Sequence, residues 1–125
     1  MPAYFADTYA LLEHLKGHPE YVRLLSSGDY VTGLGNVTEC AYKLIREGHG
    51  AVVEQAVAPM LACVSERPPA IALAAARFKR ERIQAGADCS YIDAIGYASA
   101  QSLGIPFLTG DEAFRGVPGV KFVKA

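Results

Sequence analysis

Four acidic residues, Asp7, Glu39, Asp93 and Asp111, stand where their carboxylates could act together. Asp111 follows "PFLTG", a short apolar run that breaks at Thr109-Gly110, so a carboxylate arrives just as a strand ends. Asp7 closes "PAYFAD" in the same manner. Glu39 lies three residues beyond Asn36, and Asp93 three beyond Ser90, which is the spacing of a capping box at a helix start. Each acid alone has an ordinary explanation, because carboxylates satisfy free amides at helix starts and favour the positive end of the helix dipole. Jointly they ask for another. Four carboxylates in one cleft repel one another, and some of their pKa values must rise. No lysine or arginine adjoins any of the four in sequence. Hard divalent cations would neutralise them, since Mg²⁺ and Mn²⁺ prefer carboxylate and water oxygens. Two such ions ~4 Å apart can activate water and stabilise the leaving oxygen in phosphodiester hydrolysis.

The elements that must position these acids follow from periodicity and punctuation. Residues 2–7 read as a buried strand. Residues 8–16 read as a helix, apolar at 9, 11, 12 and 15 and stopped by Gly17. Pro19 opens a second helix, "PEYVRLLSS". "YVTGLG", 30–35, reads as a strand running into glycines, and 36–48 as a helix with Asn36 at its cap and Gly48 at its end. Residues 50–64 read as helical up to Pro59. Pro68-Pro69 opens a long helix through "AIALAAARFKRERIQ", and 90–104 forms another behind Ser90 and Asp93. Residues 106–110 and 119–123 are the last strands. Strands alternating with helices, on connections too long for hairpins, imply an α/β domain with a parallel sheet covered on both faces. Ligands in such sheets bind at the carboxyl ends of strands, where Asp7 and Asp111 both sit.

Bulk properties narrow the function classes. A chain of 125 residues, 51% of them apolar, makes one domain with a real core and excludes global disorder. Its apolar stretches fall short of the ~20 residues that span a bilayer, and the N-terminus carries no basic leader, so the expected location is cytoplasmic with no membrane partner. Cys40, Cys63 and Cys89 are far apart and read as buried thiols. The formal net charge of −1 is wrong for a protein that coats phosphates with lysine and arginine. A polyanionic substrate must be held by a local patch or by bound cations.

"ADTYALL", "NVTECAYKL", "SYIDAIGYASA" and "FLTGDEAFRGVPGVKFV" resemble, in this order, the motifs of PIN-domain ribonucleases, especially the VapC-like toxins of type II toxin–antitoxin systems. The resemblance runs from residue 3 to 124. It implies a three-layer fold whose central, mostly parallel sheet has four to five strands, with helices on both faces. It also implies a Mg²⁺- or Mn²⁺-dependent endoribonuclease whose catalytic, metal-holding tetrad is Asp7, Glu39, Asp93 and Asp111, with Thr109 as the hydroxyl before the last acid. A homodimer and a blocking antitoxin are further implications. Asp88 departs from the pattern and is expected to be a solvated loop residue.

Metal-activated water attacking phosphorus would leave 5′-phosphate and 3′-hydroxyl ends. The three histidines, His14, His18 and His49, are remote in sequence from the acids and read as solvated surface residues. Lys43 and Arg46, one and two turns beyond Glu39, are the best candidates for positioning RNA. "RFKRER", 77–82, reads as a solvated helix face. "GLGN", 33–36, is a poor match to a dinucleotide fingerprint because position 38 is Thr. Two rivals remain: a nuclease for RNA maturation or quality control, and an inactive module that binds RNA or protein.

Overall fold

The computed structural model describes residues 2–65 and 67–125. Four parallel strands, β1 (Tyr4–Ala6), β2 (Tyr30–Val31), β3 (Phe107–Thr109) and β4 (Val120–Phe122), form one sheet in the order β2-β1-β3-β4. Thr32 and Val64 add a single parallel bridge beyond β2. Six helices surround the sheet: α1 (Thr8–Leu15), α2 (Pro19–Leu25), α3 (Leu34–Arg46), α4 (Val53–Leu61), α5 (Ile71–Gln84) and α6 (Tyr91–Leu103). Single 3₁₀ turns occur at Gly50–Val52 and Glu112–Phe114. The expected α/β architecture, a parallel sheet between two helical layers, is the one observed.

The two-residue period of a strand assigns the faces. Ala6 and Leu108 point to one side, into a core built with Leu11, Tyr21, Leu25, Val37, Cys40 and Met60 of α1 to α4. Phe5 and Phe107 are register partners and point to the other side, where they meet Ala94, Tyr97 and Ala98 of α6 and Ala75 of α5. Phe5, Phe107 and Phe114 are essentially sealed from water. Each contributes ~1.5–3 kcal/mol through apolar burial. The ring centroids of Phe107 and Phe114 lie 4.8 Å apart, so the 3₁₀ turn after Asp111 is anchored to the core.

Gly96 makes the second layer possible. A Cβ there would sit 2.9 Å from Phe5 Cε1 and 3.0 Å from Phe107 Cε1. Gly96→Ala is therefore expected to cost ~1–3 kcal/mol through overpacking, although alanine is the better helix former. Chemical denaturation measures this, and an unchanged midpoint would contradict the packing argument.

Four local expectations need correction. The strand at 30–35 is only two residues long, because α3 begins at Leu34 with Gly33 as its cap. Asn36 accordingly lies inside α3. Its side chain does not cap the helix but donates to Thr8 Oγ1 at 3.2 Å. Glu39 is thereby in the second turn, and the expected capping box does not form. Pro59 sits inside α4, which continues to Leu61, because only one intrahelical donor is lost there. His14 and His18 are half-buried, since the turn between α1 and α2 packs them: His18 lies edge-on to Tyr21, and His14 Nε2 is 3.4 Å from Ser26 Oγ. Among the described residues no helix is long and apolar enough to cross a membrane.

Candidate metal and active site

From β1 the chain crosses to β2 on one side, and β3 is inserted on the other side of β1. The ends of β1 and β3 therefore flank the switch point of the sheet, where such folds open a crevice. Asp7 follows β1 directly and caps α1: its Oδ1 accepts from Ala10 N at 2.8 Å. Asp111 follows β3 by two residues and caps the next turn, accepting from Ala113 N at 3.0 Å. Thr109, fully buried at the end of β3, ties the two acids together. Its hydroxyl donates to Asp7 Oδ2 and accepts from Asp111 N at 3.0 Å. Gly110 lets this junction close, since a Cβ there would meet Tyr9 Cε1 at 2.2 Å and Val123 O at 2.4 Å.

The other two acids come from helices. Ser90 caps α6 by accepting from Asp93 N at 3.1 Å, which aims the first turn of α6 at the switch point. Glu39, on the second turn of α3, accepts a 2.6 Å hydrogen bond from Thr8 Oγ1. Asp7, Glu39, Asp93 and Asp111 all line one cleft of about 380 Å³, together with Thr8, Tyr9, Lys16, Lys43 and Ser90. A larger cavity of about 790 Å³ lies between α5 and α6, but it is lined by groups such as Ile71, Phe78 and Val117 and holds none of the four acids. Chemistry, not volume, selects the smaller one. Arg46 is not among the residues that line it; its guanidinium lies over the Tyr42 ring and 3.9 Å from Glu47. Asp88 is exposed and paired with Lys79 at 2.7 Å, so it is a loop ion pair at the edge of the site.

The electrostatics are those of an anion cluster without a counter-ion. Asp7 is 2% exposed, and burial drives its pKa up to about 8. The hydrogen bonds from Thr109 and Ala10 only partly offset this, while the charges of Asp93 and Asp111 add to it. Asp93 rises to about 6, again chiefly through burial, with Asp111 and Glu39 repelling it. Among the described residues, no lysine or arginine forms an ion pair with any of the four acids. Among those residues, too, no three acidic, imidazole or thiol side chains are drawn close enough to chelate an ion. The donors are all hard carboxylate oxygens, the set that suits Mg²⁺ or Mn²⁺.

Sequence reasoning passed over Thr8 and read Asn36 only as a helix cap. Asn36 donates to Thr8, and Thr8 donates to Glu39, so a buried polar relay sets the direction of one acid. The signal was present as "DT" directly after β1, a hydroxyl adjoining the first acid, but its partner on α3 depends on tertiary packing.

An α/β domain whose switch point opens onto a cleft lined by four carboxylates presents an acidic site at the carboxyl ends of its strands. Residues 4–120 match the family model of the PIN domain, and the chain belongs to that family, which is one of nucleases. No curated protein sequence matches the chain. The fold is similar to that of a toxin–antitoxin complex from Klebsiella pneumoniae, with 20% identity, a TM-score of 0.75, and coverage of 98% of this chain and 99% of that one. It is similar to VapC20 of Mycobacterium tuberculosis, a toxin that cleaves the sarcin–ricin loop, at 20% identity and TM-score 0.74, covering 98% and 100%. It is also similar to VapBC-1 of nontypeable Haemophilus influenzae, at 15% identity and TM-score 0.69, covering 98% and 97%.

Proposed function

We propose that this chain is a divalent-metal-dependent endoribonuclease and the toxin of a toxin–antitoxin pair. The observation that carries the chemistry is the convergence on one cleft of four carboxylates from four separate elements, none of them ion-paired among the described residues. Asp7, Glu39, Asp93 and Asp111 would hold Mg²⁺ or Mn²⁺. When bound, the ion supplies the positive charge that polarises a phosphodiester and lowers the pKa of water. The chain's own groups do the rest. Thr109 keeps Asp7 and Asp111 in register, and Thr8 holds Glu39 towards them. Lys43 lines the cleft and can meet substrate phosphates, which a chain of net charge −1 cannot attract by bulk charge; Lys16 lines it too but is paired with Glu13 at 3.3 Å. Arg46, already engaged by Glu47 and Tyr42, is the weaker candidate for that task.

The toxin role is supported by the likeness to a toxin–antitoxin complex and to a toxin that cleaves the sarcin–ricin loop. An antitoxin that occupies the cleft and a homodimer are parts of the same reading. A maturation or quality-control nuclease would use the same chemistry, and a gene for a small DNA-binding protein immediately upstream favours the toxin. The separation of the carboxylates is the one feature that suits an inactive binding module. Calorimetric titration with Mn²⁺ separates the two, because such a module takes up no ion.

The decisive experiment incubates the purified protein with structured RNA, with and without Mn²⁺, beside Asp111→Asn. Cleavage is expected only with the ion, leaving 5′-phosphate ends, and is lost in the variant. Undiminished cleavage in a chelator would sink the metal reading.

A further inference from the structure

The basic run 77–82, expected to be a solvated helix face, is only partly one. Arg77 and Arg80 are exposed, whereas Lys79 and Arg82 are half-buried and fall with Ala75 and Phe78 on the stripe of α5 that turns inwards. Phe78 anchors that stripe by stacking on Tyr97 of α6, with ring centroids 4.1 Å apart, and on Phe114 at 6.0 Å. The two cations then reach the two loops that deliver acids to the cleft.

Arg82 donates through Nη2 to the carbonyl of Ala113 at 3.0 Å. The amide of Ala113 donates to Asp111 Oδ1 at 3.0 Å, so this one residue of the turn is tied to the acid on its amide side and to the arginine on its carbonyl side. Lys79 Nζ pairs with Asp88 Oδ1 at 2.7 Å and donates to the carbonyl of Cys89. The same Asp88 oxygen accepts from Cys89 N at 2.8 Å, which closes a knot one residue before Ser90, the cap of α6. Ser90 in turn accepts from Asp93 N. The Lys79 side chain is only 17% exposed, and its ammonium lies 4.9 Å from the centroid of the Tyr91 ring, so it is held on a third side as well. These ties meet at the site. Asp93 and Asp111 line the main cleft and also a smaller hollow of about 360 Å³ beside it, whose walls include Lys79, Cys89, Ser90 and Ala113. Among the described residues neither cation forms an ion pair with Asp93 or Asp111. Each grips the backbone beside an acid instead.

We propose that Lys79 and Arg82 are positioning residues, which hold the loops carrying Asp93 and Asp111 so that the two carboxylates can share a divalent cation. This rests on the metal-dependent reading of the cleft. Outer ties of this kind are typically worth ~10–100-fold in metal affinity. Bare electrostatics predicts the opposite sign: a positive charge beside the site repels the ion, so removing it tightens binding.

The test is calorimetric titration of the metal-free protein with Mn²⁺, well below every melting temperature. Arg82→Met and Lys79→Met keep the apolar stems and lose the donors, and each is expected to raise Kd about tenfold. Lys79→Arg, which keeps charge and donors, is expected to recover most of that loss. Arg80→Met, which removes an exposed charge of the same run, is expected to leave Kd unchanged. Amide hydrogen exchange reads the ties without the ion: Ala113 N–H should exchange faster in Arg82→Met, and Asp93 N–H faster in Lys79→Met. A merely structural contact would lower the melting temperature and leave Kd where it is. Unchanged or tighter Mn²⁺ binding in either methionine variant overturns the role of that residue, while uptake by the wild-type protein keeps the metal reading. No uptake by the wild-type protein overturns both.

Discussion

Asp7→Asn is expected to abolish RNA cleavage while making the metal-free protein more stable at neutral pH. The two effects share a cause. Asp7 is 2% exposed, lies among three other acids, and has its pKa pushed up to about 8. At pH 7 the unfolded chain carries this group ionised, whereas the folded chain must protonate it or bury its charge. Each pKa unit between the two states corresponds to ~1.36 kcal/mol, so folding bears a cost of roughly 2–4 kcal/mol at this one position. The amide removes that cost. It keeps the cap, since its oxygen can still accept from Ala10 N, and asparagine caps as well as aspartate. It loses the acceptor for the Thr109 hydroxyl, worth ~1 kcal/mol. The net gain is about 1–3 kcal/mol, or several degrees in Tm for a domain of this size. Catalysis moves the other way. If Asp7 holds the ion as proposed, losing it forfeits several kcal/mol of charge stabilisation, ~10²-fold or more in rate. A variant that is inactive because it is unfolded would show a lower Tm, so the paired readout separates the explanations. A lower metal-free Tm at pH 7 would reduce Asp7 to a helix cap.

Such a residue, costly to the fold and kept at its centre, is what sequence patterning can locate but not evaluate. Asp7 and Asp111 were legible because apolar runs end on them, and the α/β alternation tells which edge of the sheet such ends occupy. Asp93 was legible through the Ser90 cap, which forms as expected. Glu39 was placed on the correct helix by the wrong device. Asn36 looks like an N-cap because its residue type prefers that position, yet Gly33 starts α3 and frees Asn36 to donate to Thr8. Propensity acts over a few residues, whereas this bond joins side chains 28 positions apart. The shortness of β2 has the same root, since helix α3 claims Leu34 and Gly35. Strand order and the Thr109 bridge between two acids depend on tertiary contacts that no periodicity encodes.

The same carboxylates predict an unusual pH profile. Folded-state pKa values of about 8 for Asp7 and about 6 for Asp93 stand above the unfolded value of 3.8. Between 3.8 and those values the native state holds protons that the unfolded chain has released, so by linkage stability falls as pH rises. The contribution is complete below 3.8, is lost with two protons in play up to about pH 6, and with one from there to about pH 8. Glu112 acts oppositely. Arg115 holds it down at about 2, so its contribution is present above the ordinary glutamate range and is lost as pH falls through 2; it is exposed and therefore weak. Metal-free Tm should accordingly peak near pH 4–5 and decline towards pH 8. Under the proposed metal reading Mn²⁺ competes with protons for the same oxygens, so its stabilisation is expected to grow over that range. At a concentration 100 times Kd it reaches ~2.7 kcal/mol, which offsets part of the decline. Calorimetric scans at pH 5, 6, 7 and 8, with and without Mn²⁺, measure both trends. A flat metal-free profile, or a Mn²⁺ increment that shrinks with rising pH, would mean that these acids do not share one site. In Asp7→Asn the metal-free decline should lose its portion above pH 6, because the group that titrates there is gone.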